Sequence, residues 1–507
     1  MADRVTEPAP PTGEIPRLVI GVSDTPDEFP GSEGNLLIRG GLVRVLAYAA
    51  MVIFSVVWTV VLARKLGVAR FGVYTSAMSI ATVVATLSDG GMGNFASREY
   101  AALHGDSRAR LMRDIFGLRV TSGAIGTCLA AGFALAAGYH FSLLIGVVAA
   151  TAAVIPLVAA HTMCLPWTNE LRLGLISGLE LMRQALWGCL LIGLALAGAG
   201  LLWLLVSLLA ANLAMALVTW RITRGLDIPG VAIHPRSWPP LMRGAAAFSA
   251  ATAVGTVYMY TTQIVTSLVA NAHQTGLFSV SFRVYVVTAM IPTLVASSAL
   301  PVLSRAARDD HERLAYALKR LIELSFAAGI GFALTMAAAS GFVVLVLGGA
   351  RFHQATGVLE IQALAMIATF ATGPCSFGLL AEGRYKGLLL ANGVALVVTA
   401  VATVVLAGAF GARGAAVATI CGEVTAAVLM YGAMLRSRPE SRPDTGVMLR
   451  LLLATACCVP LAFIAAIPSL PRAIAVGCLY VVLVIVLRAL PPEILESLPR
   501  LPRRAGN

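Results

Sequence analysis

The sequence predicts an all-α integral membrane protein of about 14 transmembrane helices, arranged as two six-helix lobes in parallel pseudo-repeat with two further helices at the C-terminal end. Composition is the first observation behind this. The 507 residues are 58% hydrophobic and 12% charged, with a mean hydropathy of +0.85, whereas soluble domains carry about 25% charged residues. The second is a succession of apolar segments of membrane-spanning length, about 20 residues each. The third is the uneven placement of cations along the chain. A net charge of +12 on a soluble chain would point to nucleic acid; here the cations are read by their position relative to the membrane, and no nucleic-acid partner is expected.

Residues 1–34 hold six prolines and seven carboxylates, a composition that cannot bury enough apolar surface to fold. A disordered cytosolic tail is expected there, without the pattern of a cleaved signal peptide. The N-terminal lobe, 35–223, then contains spans at Leu42–Leu62, Gly72–Asn94, Phe116–Ala137, Phe141–Leu165, Gly174–Ala197 and Leu201–Trp220. Only Gly198, Ala199 and Gly200 separate the fifth from the sixth. A cytosolic loop, 224–243, leads to the C-terminal lobe, 244–436. Its spans are Ala245–Ala270, Gly276–Leu303, Leu321–Leu347, Val358–Ala381, Gly387–Ala409 and Gly414–Met434. The last two spans, Val447–Ile467 and Ala473–Leu490, lie in 437–490, and 491–507 is a cytosolic tail.

Orientation follows from the Lys and Arg residues. With both termini cytosolic, 29 of the 37 fall on the inner side and six on the outer side, while Arg183 and Arg283 lie within spans. This asymmetry obeys the positive-inside rule and fits an even number of spans. Half of the outer cations, Arg64, Lys65 and Arg70, belong to one stretch, Leu62–Tyr100, which joins spans 1 and 2. Every outer loop is short, which argues against an enzyme working through a large external domain.

The halves align at an offset of 204 residues: Arg39-Gly40 with Arg243-Gly244, and Gly72-Val73-Tyr74-Thr75 with Gly276-Leu277-Phe278-Ser279. An offset of six helices keeps both copies in one orientation, so the implied axis runs along the membrane normal and the path for a substrate runs between the lobes.

Polar side chains mark where that path lies. Span 7 carries Ser249, Thr252, Thr256, Tyr260, Gln263 and Ser267 at helical spacing on one face, which either lines a water-filled cavity or packs against other helices by hydroxyl–backbone bonds. Span 2 repeats the pattern with Thr75, Ser79, Thr82, Thr86 and Asp89. Asp89 is a helix cap, a structural partner for Arg98, or a site for a coupling cation. Arg283, seven residues into span 8 and about 10 Å deep, either faces the cavity or snorkels to the outer surface. Glu180 and Arg183 are spaced to neutralise each other. Glu360, Glu382 and Glu423 are read as lying near span ends and reaching water. The eight cysteines fall in apolar segments and read as packing residues. No histidine pair has metal-ligand spacing, and Lys65, Lys319 and Lys386 are not followed by Ser or Thr, so a phosphate-binding loop is absent. No metal, cofactor or catalytic residue is expected.

Together these pieces resemble a known family. Ala63-Arg64-Lys65-Leu66-Gly67, Phe71-Gly72-Val73-Tyr74, Asp89-Gly90 and Arg98-Glu99-Tyr100 resemble the first two helices of bacterial polysaccharide (O-antigen or exopolysaccharide) flippases of the multidrug/oligosaccharidyl-lipid/polysaccharide exporter superfamily. Gly276 to Arg283, Leu300 to Arg305 and Gly411 to Thr419 fit the same pattern. The resemblance implies alternating access that moves a polyprenyl-pyrophosphate-linked oligosaccharide across the bacterial cytoplasmic membrane, with a polysaccharide polymerase or export machinery as a partner. Arg283, Tyr260, Gln263, Thr256, Thr252, Arg64, Thr82 and Thr86 are then candidates for substrate contact, and Asp89 for the coupling ion. The peptidoglycan-precursor flippases of the superfamily carry arginines in helix 1, where this chain has Met51, Trp58 and Thr59. The resemblance therefore points to a polysaccharide unit rather than lipid II. A cation-coupled multidrug exporter is the alternative transporter, and an envelope-glycan enzyme or scaffold the alternative outside transport.

Overall fold

The computed structural model describes residues 31–90, 92–170, 172–224, 238–464 and 466–489. Helix α1 (Gly31–Asp89) contains both of the first two expected spans as arms of one bent helix. At its bend, Gly67 has φ 72° and ψ 176°, a conformation essentially confined to glycine. A side chain there would meet no atom within 4 Å, so the requirement for glycine is conformational and not spatial. The helix starts at Gly31, inside the stretch 1–34 expected to be a tail; residues 1–30, 225–237 of the expected loop and the expected tail 491–507 lie outside the described residues.

The N-terminal bundle continues with α2 (Met92–Ala102), α3 (Gly105–Ala136), α4 (Phe141–Ala152), α5 (Val154–Met163), α6 (Leu165–Asn169), α7 (Leu173–Leu196) and α8 (Leu201–Thr223). The fourth expected span is thus divided among α4, α5 and α6. Pro156 and Pro166 sit just after the breaks, where a missing N–H cannot close a bond to the preceding turn. The core of this bundle includes Trp58, Tyr74, Val147, Leu191 and Leu204, drawn from α1, α4, α7 and α8.

The C-terminal bundle holds α9 (Trp238–Val269), α10 (Ala272–Asp309), α11 (His311–Gly348), α12 (Ala355–Ala381) and α13 (Tyr385–Ser437). Asn271 and Asp310 cap α10 and α11 by accepting the backbone N–H of Gln274 and Arg313 at 2.8 and 2.9 Å, which satisfies otherwise orphan donors. Like α1, α13 is bent at a glycine, Gly411, with φ 59°. There Gln274 of α10 reaches across and accepts the N–H of Ala412 at 3.0 Å, capping the second arm. A Cβ on Gly411 would lie 2.6 Å from the same Gln274 oxygen, so this glycine is needed for both torsion and space. The final pair, α14 (Thr445–Ala462) and α15 (Ser469–Val486), packs on α11. Tyr480 donates to the Ala327 carbonyl at 2.8 Å. Buried Glu323 pairs with Arg320 and accepts the N–H of Asp444.

Among the described residues eleven helical segments are long and apolar enough to cross a membrane. The chain is therefore an all-helical, multi-pass membrane protein. Eleven falls short of the 14 expected because each bent run counts once and α9 is not among them.

Replacing Gly67 by Ala forces a Cβ into the glycine-only region at a cost of about 1–3 kcal/mol. Thermal denaturation of the purified protein in detergent is expected to show a lower midpoint for Gly67→Ala. Gly174→Ala, at a helical position with nothing within 4 Å of the added atom, should leave the midpoint unchanged or slightly raised.

Candidate functional site

Arg283 lies deeper than its sequence position implied. Because α10 begins at Ala272, not at the expected Gly276, the arginine stands about 17 Å along the helix at 1.5 Å per residue. Its guanidinium lies over the ring of Trp58, 5.1 Å from the centroid, a cation–π contact made inside the protein and not at the outer surface. No carboxylate pairs with it among the described residues.

The arginine lines a cavity of about 230 Å³ between the bundles. From α1 come Trp58, Tyr74, Thr75, Ser79 and Thr82, from α7 Gln184 and Trp187, and from α9 Tyr260. Aromatic contacts fix the walls: Trp58 against Trp187 at 5.0 Å and Tyr260 edge-on to Phe282 at 5.8 Å. Four buried polar atoms of this lining have no hydrogen-bond partner among the described residues, namely Trp58 Nε1, Tyr74 Oη, Trp187 Nε1 and Arg283 Nε. Three of these are obligate N–H donors and the fourth is a hydroxyl that can donate. Unpaired donors are costly to bury, so the chamber suits a guest rich in oxygen acceptors and negative charge. On its other side Arg283 borders an apolar chamber of about 280 Å³ walled by Val284, Val287, Met336, Phe342 and Leu347.

One end of the polar chamber is closed by contact between the bundles. Thr75 donates to Ser279 at 2.6 Å, and Gln263 donates to Ser279 and Ser76 at 2.9 and 3.1 Å. Beside them the backbones nearly touch. A Cβ on Gly72 would lie 2.5 Å from the Gly276 nitrogen and 3.0 Å from the Ala272 carbonyl oxygen, and one on Gly276 would lie 1.9 Å from the Val68 carbonyl oxygen. Arg64 adds a second tie, donating to the Leu345 and Val346 carbonyls at 3.3 and 2.8 Å, where a cation complements the negative end of α11. At the opposite end, Trp238 and Leu241 of α9 pack on Met92, Leu118, Ala96 and Leu111 of α2 and α3.

The expected site residues therefore separate. Arg283, Tyr260 and Thr82 line the polar chamber. Gln263 is fully buried between the bundles and Arg64 caps α11, so both tie the bundles together instead of facing the chamber. Thr86 bonds to the Thr82 carbonyl at 3.1 Å, the packing alternative. Thr252 and Thr256 open on a separate cavity of about 330 Å³ inside the C-terminal bundle. Asp89 is in close ionic contact with Arg119, which also donates to Thr162 at 3.0 Å. Its partner is thus Arg119 in place of the expected Arg98, whose side chain lies outside the described residues. Glu180 and Arg183 do pair.

Sequence reasoning missed Trp58, Tyr74 and Trp187. The available signal was an indole far from the interfacial zone where tryptophan usually gathers in membrane proteins. It also misjudged Glu423, expected to reach water. This carboxylate is 5% exposed in the second arm of α13, in contact with the Tyr258 hydroxyl and 2.8 Å from the Thr369 hydroxyl. Glu382 pairs with Arg438 at 2.8 Å, and Glu360 accepts from Ser340 at 3.1 Å.

Comparison with known proteins places this geometry. A family model described as "Polysaccharide biosynthesis protein" matches residues 61–357. No curated protein sequence matches the chain. Among solved structures, the lipid II flippase MurJ in an inward closed conformation is similar with a TM-score of 0.71 at 12% identity, covering 88% of this chain and 99% of that one. An inward-facing multidrug resistance MATE family transporter of the MOP superfamily gives 0.63 at 12% identity, covering 79% and 98%. A MOP superfamily transporter from Pyrococcus furiosus, described as having a binding pocket of reverse polarity, gives 0.54 at 13% identity, covering 81% and 96%. At these identities the likeness establishes a MOP-type fold.

The backbone contact between bundles leaves no room for a methyl group. Gly276→Ala is expected to separate the bundles locally and raise amide deuterium exchange over residues 68–75. Gly193→Ala, which adds an atom into open space, should leave exchange there unchanged.

Proposed function

This chain belongs to the polysaccharide biosynthesis protein family, and on that premise we propose that it is a flippase that moves a lipid-linked, polyprenyl-pyrophosphate-borne oligosaccharide across the cytoplasmic membrane of a bacterium for surface polysaccharide synthesis. The observation that carries the reading is the polar chamber. An unpaired arginine, two indole N–H groups and a tyrosine hydroxyl converge there without an opposing carboxylate. A pyrophosphate takes charge-assisted hydrogen bonds from such an arginine, and sugar hydroxyl oxygens accept from the neutral donors. The aromatic walls offer flat faces for pyranose rings. The adjoining apolar chamber keeps the arginine at a boundary between polar and hydrocarbon surroundings, as a molecule with a charged head and a lipid tail requires.

The MurJ structure is of a lipid II flippase, and a substrate of the same general build supports the reading here. Met51, Trp58 and Thr59 replace the helix-1 arginines that the resemblance associates with lipid II, which favours a polysaccharide repeat unit. Dividing α1 and α13 at their bends and adding α9 gives twelve crossings in two lobes and, with α14 and α15, fourteen in all. A pseudo-two-fold axis between the lobes is supported by reciprocal contacts: Gly72 to Ala272 and Gly276 to Val68, and Thr75 to Ser279, residues 204 apart. Transport then proceeds by rocking of the lobes about this contact, with both termini cytosolic.

Replacement of Arg283 tests the proposal in a strain deleted for the gene and complemented with variants. The deletion should abolish a surface polysaccharide and leave lipid-linked repeat units on the inner leaflet. Arg283→Ala, with membrane levels of protein unchanged, is expected to cut polysaccharide display at least tenfold, and Arg283→Lys to restore part of it. Normal display with Arg283→Ala, or a deletion that alters only drug sensitivity, would overturn the reading in favour of a drug exporter.

A further inference from the structure

The outer end of the molecule carries a positive charge that the polar chamber does not use. With both termini cytosolic, as the flippase reading has them, the connections at this end are residues 63–71, 138–140, 198–200, 271–275, 348–357, 410–413 and 463–472. They hold six Lys and Arg residues and no carboxylate. Two of the six belong to the fold: Arg64 caps α11, and Arg472 donates to the Ala338 and Ile464 carbonyls at 3.1 and 3.2 Å. The other four, Lys65, Arg70, Arg351 and Arg413, are exposed and make no hydrogen bond or ion pair among the described residues. Glu360, the first carboxylate along α12, is already bonded to Ser340 at 3.1 Å.

The fold brings these four cations to one seam. Lys65 and Arg70 flank the Gly67 bend of α1, on the N-terminal bundle; Arg351 belongs to a single helical turn, Ala350–Phe352, and Arg413 follows the Gly411 bend of α13, both on the C-terminal bundle. Phe71 meets Phe352 edge-on at 6.0 Å and so joins the segments of Arg70 and Arg351. A Cβ on Gly357, in the first turn of α12, would lie 3.4 Å from the Arg413 guanidinium. This is the seam that closes the polar chamber, since Gly72 follows Arg70 by two residues. The placement is unfavourable on two counts. Cations on the outer side oppose the positive-inside rule. Arg70 and Arg413 stand in the first turn after a bend, and Arg351 just ahead of α12, so three of the four lie at the positive ends of helix dipoles. Helix stability gives no reason for them; an anion at the seam does.

We propose that Lys65, Arg70, Arg351 and Arg413 form an exit site that takes the pyrophosphate of the translocated lipid as the seam opens and before it leaves for the outer leaflet. The proposal rests on the flippase reading and adds a second anion station to that of Arg283. Arg283 stands about 17 Å from the outer end of α10, farther than a pyrophosphate reaches, so the charged head has to let go of one cation well before it meets bulk water. A site that attracts an anion also retains it, and passage is eased by a further site along the way. Cations on both lips of the seam provide one. Parting the bundles separates Arg70 from Arg351 and admits the head between them, where each guanidinium gives paired, charge-assisted N–H bonds to phosphate. The lack of carboxylates at this end leaves its field uniformly positive. An ordinary phospholipid offers a single phosphate to four cations, whereas the lipid-linked substrate offers two.

Inorganic pyrophosphate is the probe, because the closed seam keeps it from Arg283. Calorimetric titration of the full-length protein in maltoside detergent at low salt should show that wild type and Arg283→Ala bind it alike, and more tightly than inorganic phosphate. The combined variant Lys65→Gln, Arg70→Gln, Arg351→Gln, Arg413→Gln should bind it about tenfold more weakly, and Arg70→Lys, Arg351→Lys, Arg413→Lys should fall between. Removing outer cations strengthens the charge bias that orients the chain, so the Gln variant inserts as the wild type does. Equal binding by wild type and the Gln variant overturns the site, and phosphate bound as tightly as pyrophosphate overturns the assignment to a diphosphate. Thermal stabilisation by phosphatidylglycerol over phosphatidylcholine in bilayer discs, lost in the Gln variant while pyrophosphate fails to bind, gives the cations to ordinary lipid headgroups and also overturns it. In the complemented strain the Gln variant should lower polysaccharide display about fivefold. Full display by that variant where Arg283→Ala abolishes display overturns the exit role alone. A deletion strain that keeps its polysaccharide overturns the flippase reading, and the titration then still decides whether the seam binds a diphosphate.

Discussion

The fold depends on one place where two backbones approach without side chains between them. Gly72 and Gly276 bring α1 and α10 together closely enough for Thr75 and Ser279 to share a hydrogen bond and for Gln263 to reach both arms of the contact. Without a hydrophobic driving force between helices in lipid, such close packing and interhelical hydrogen bonding are what hold membrane helices together. Everything functional is arranged around that contact. The polar chamber begins beside Thr75 and Ser279, which belong to its lining. Arg283 follows Ser279 by about one helical turn and so points into the same space.

Much of this was legible from the chain. The offset of 204 residues aligned Gly72 with Gly276 and Thr75 with Ser279, and these same residues meet in space. Apolar length marked the helices, and an arginine inside an apolar segment marked the chamber. The glycine bends at Gly67 and Gly411 were less legible as continuous helices, because in sequence a short Arg/Lys/Gly turn looks like any loop.

Partners were harder to read than positions. Asp89 was matched with the nearby Arg98, yet its partner is Arg119, thirty residues on and carried by a different helix. The stripe on α9 looked like one wall. The structure distributes it among the C-terminal cavity, the polar chamber and the contact between bundles, because a helix of 32 residues, about 48 Å long, passes several neighbours along its length. Glu423 failed for the same reason. Its surroundings are made by Tyr258, Tyr285 and Thr369 from three other helices, and its own neighbours in sequence, small residues and valine, carry no trace of them.

The meeting of Gly72 with Gly276 also bears on how such a chain can vary. Ordinarily a residue and its counterpart in the other half of a chain lie apart and answer to different neighbours. Here the counterpart is the neighbour. A larger residue at either position intrudes on the space of its own image, and a polar change at Thr75 alters what Ser279 must pair with. A change at one of these positions is therefore constrained directly by the residue that stands at the other.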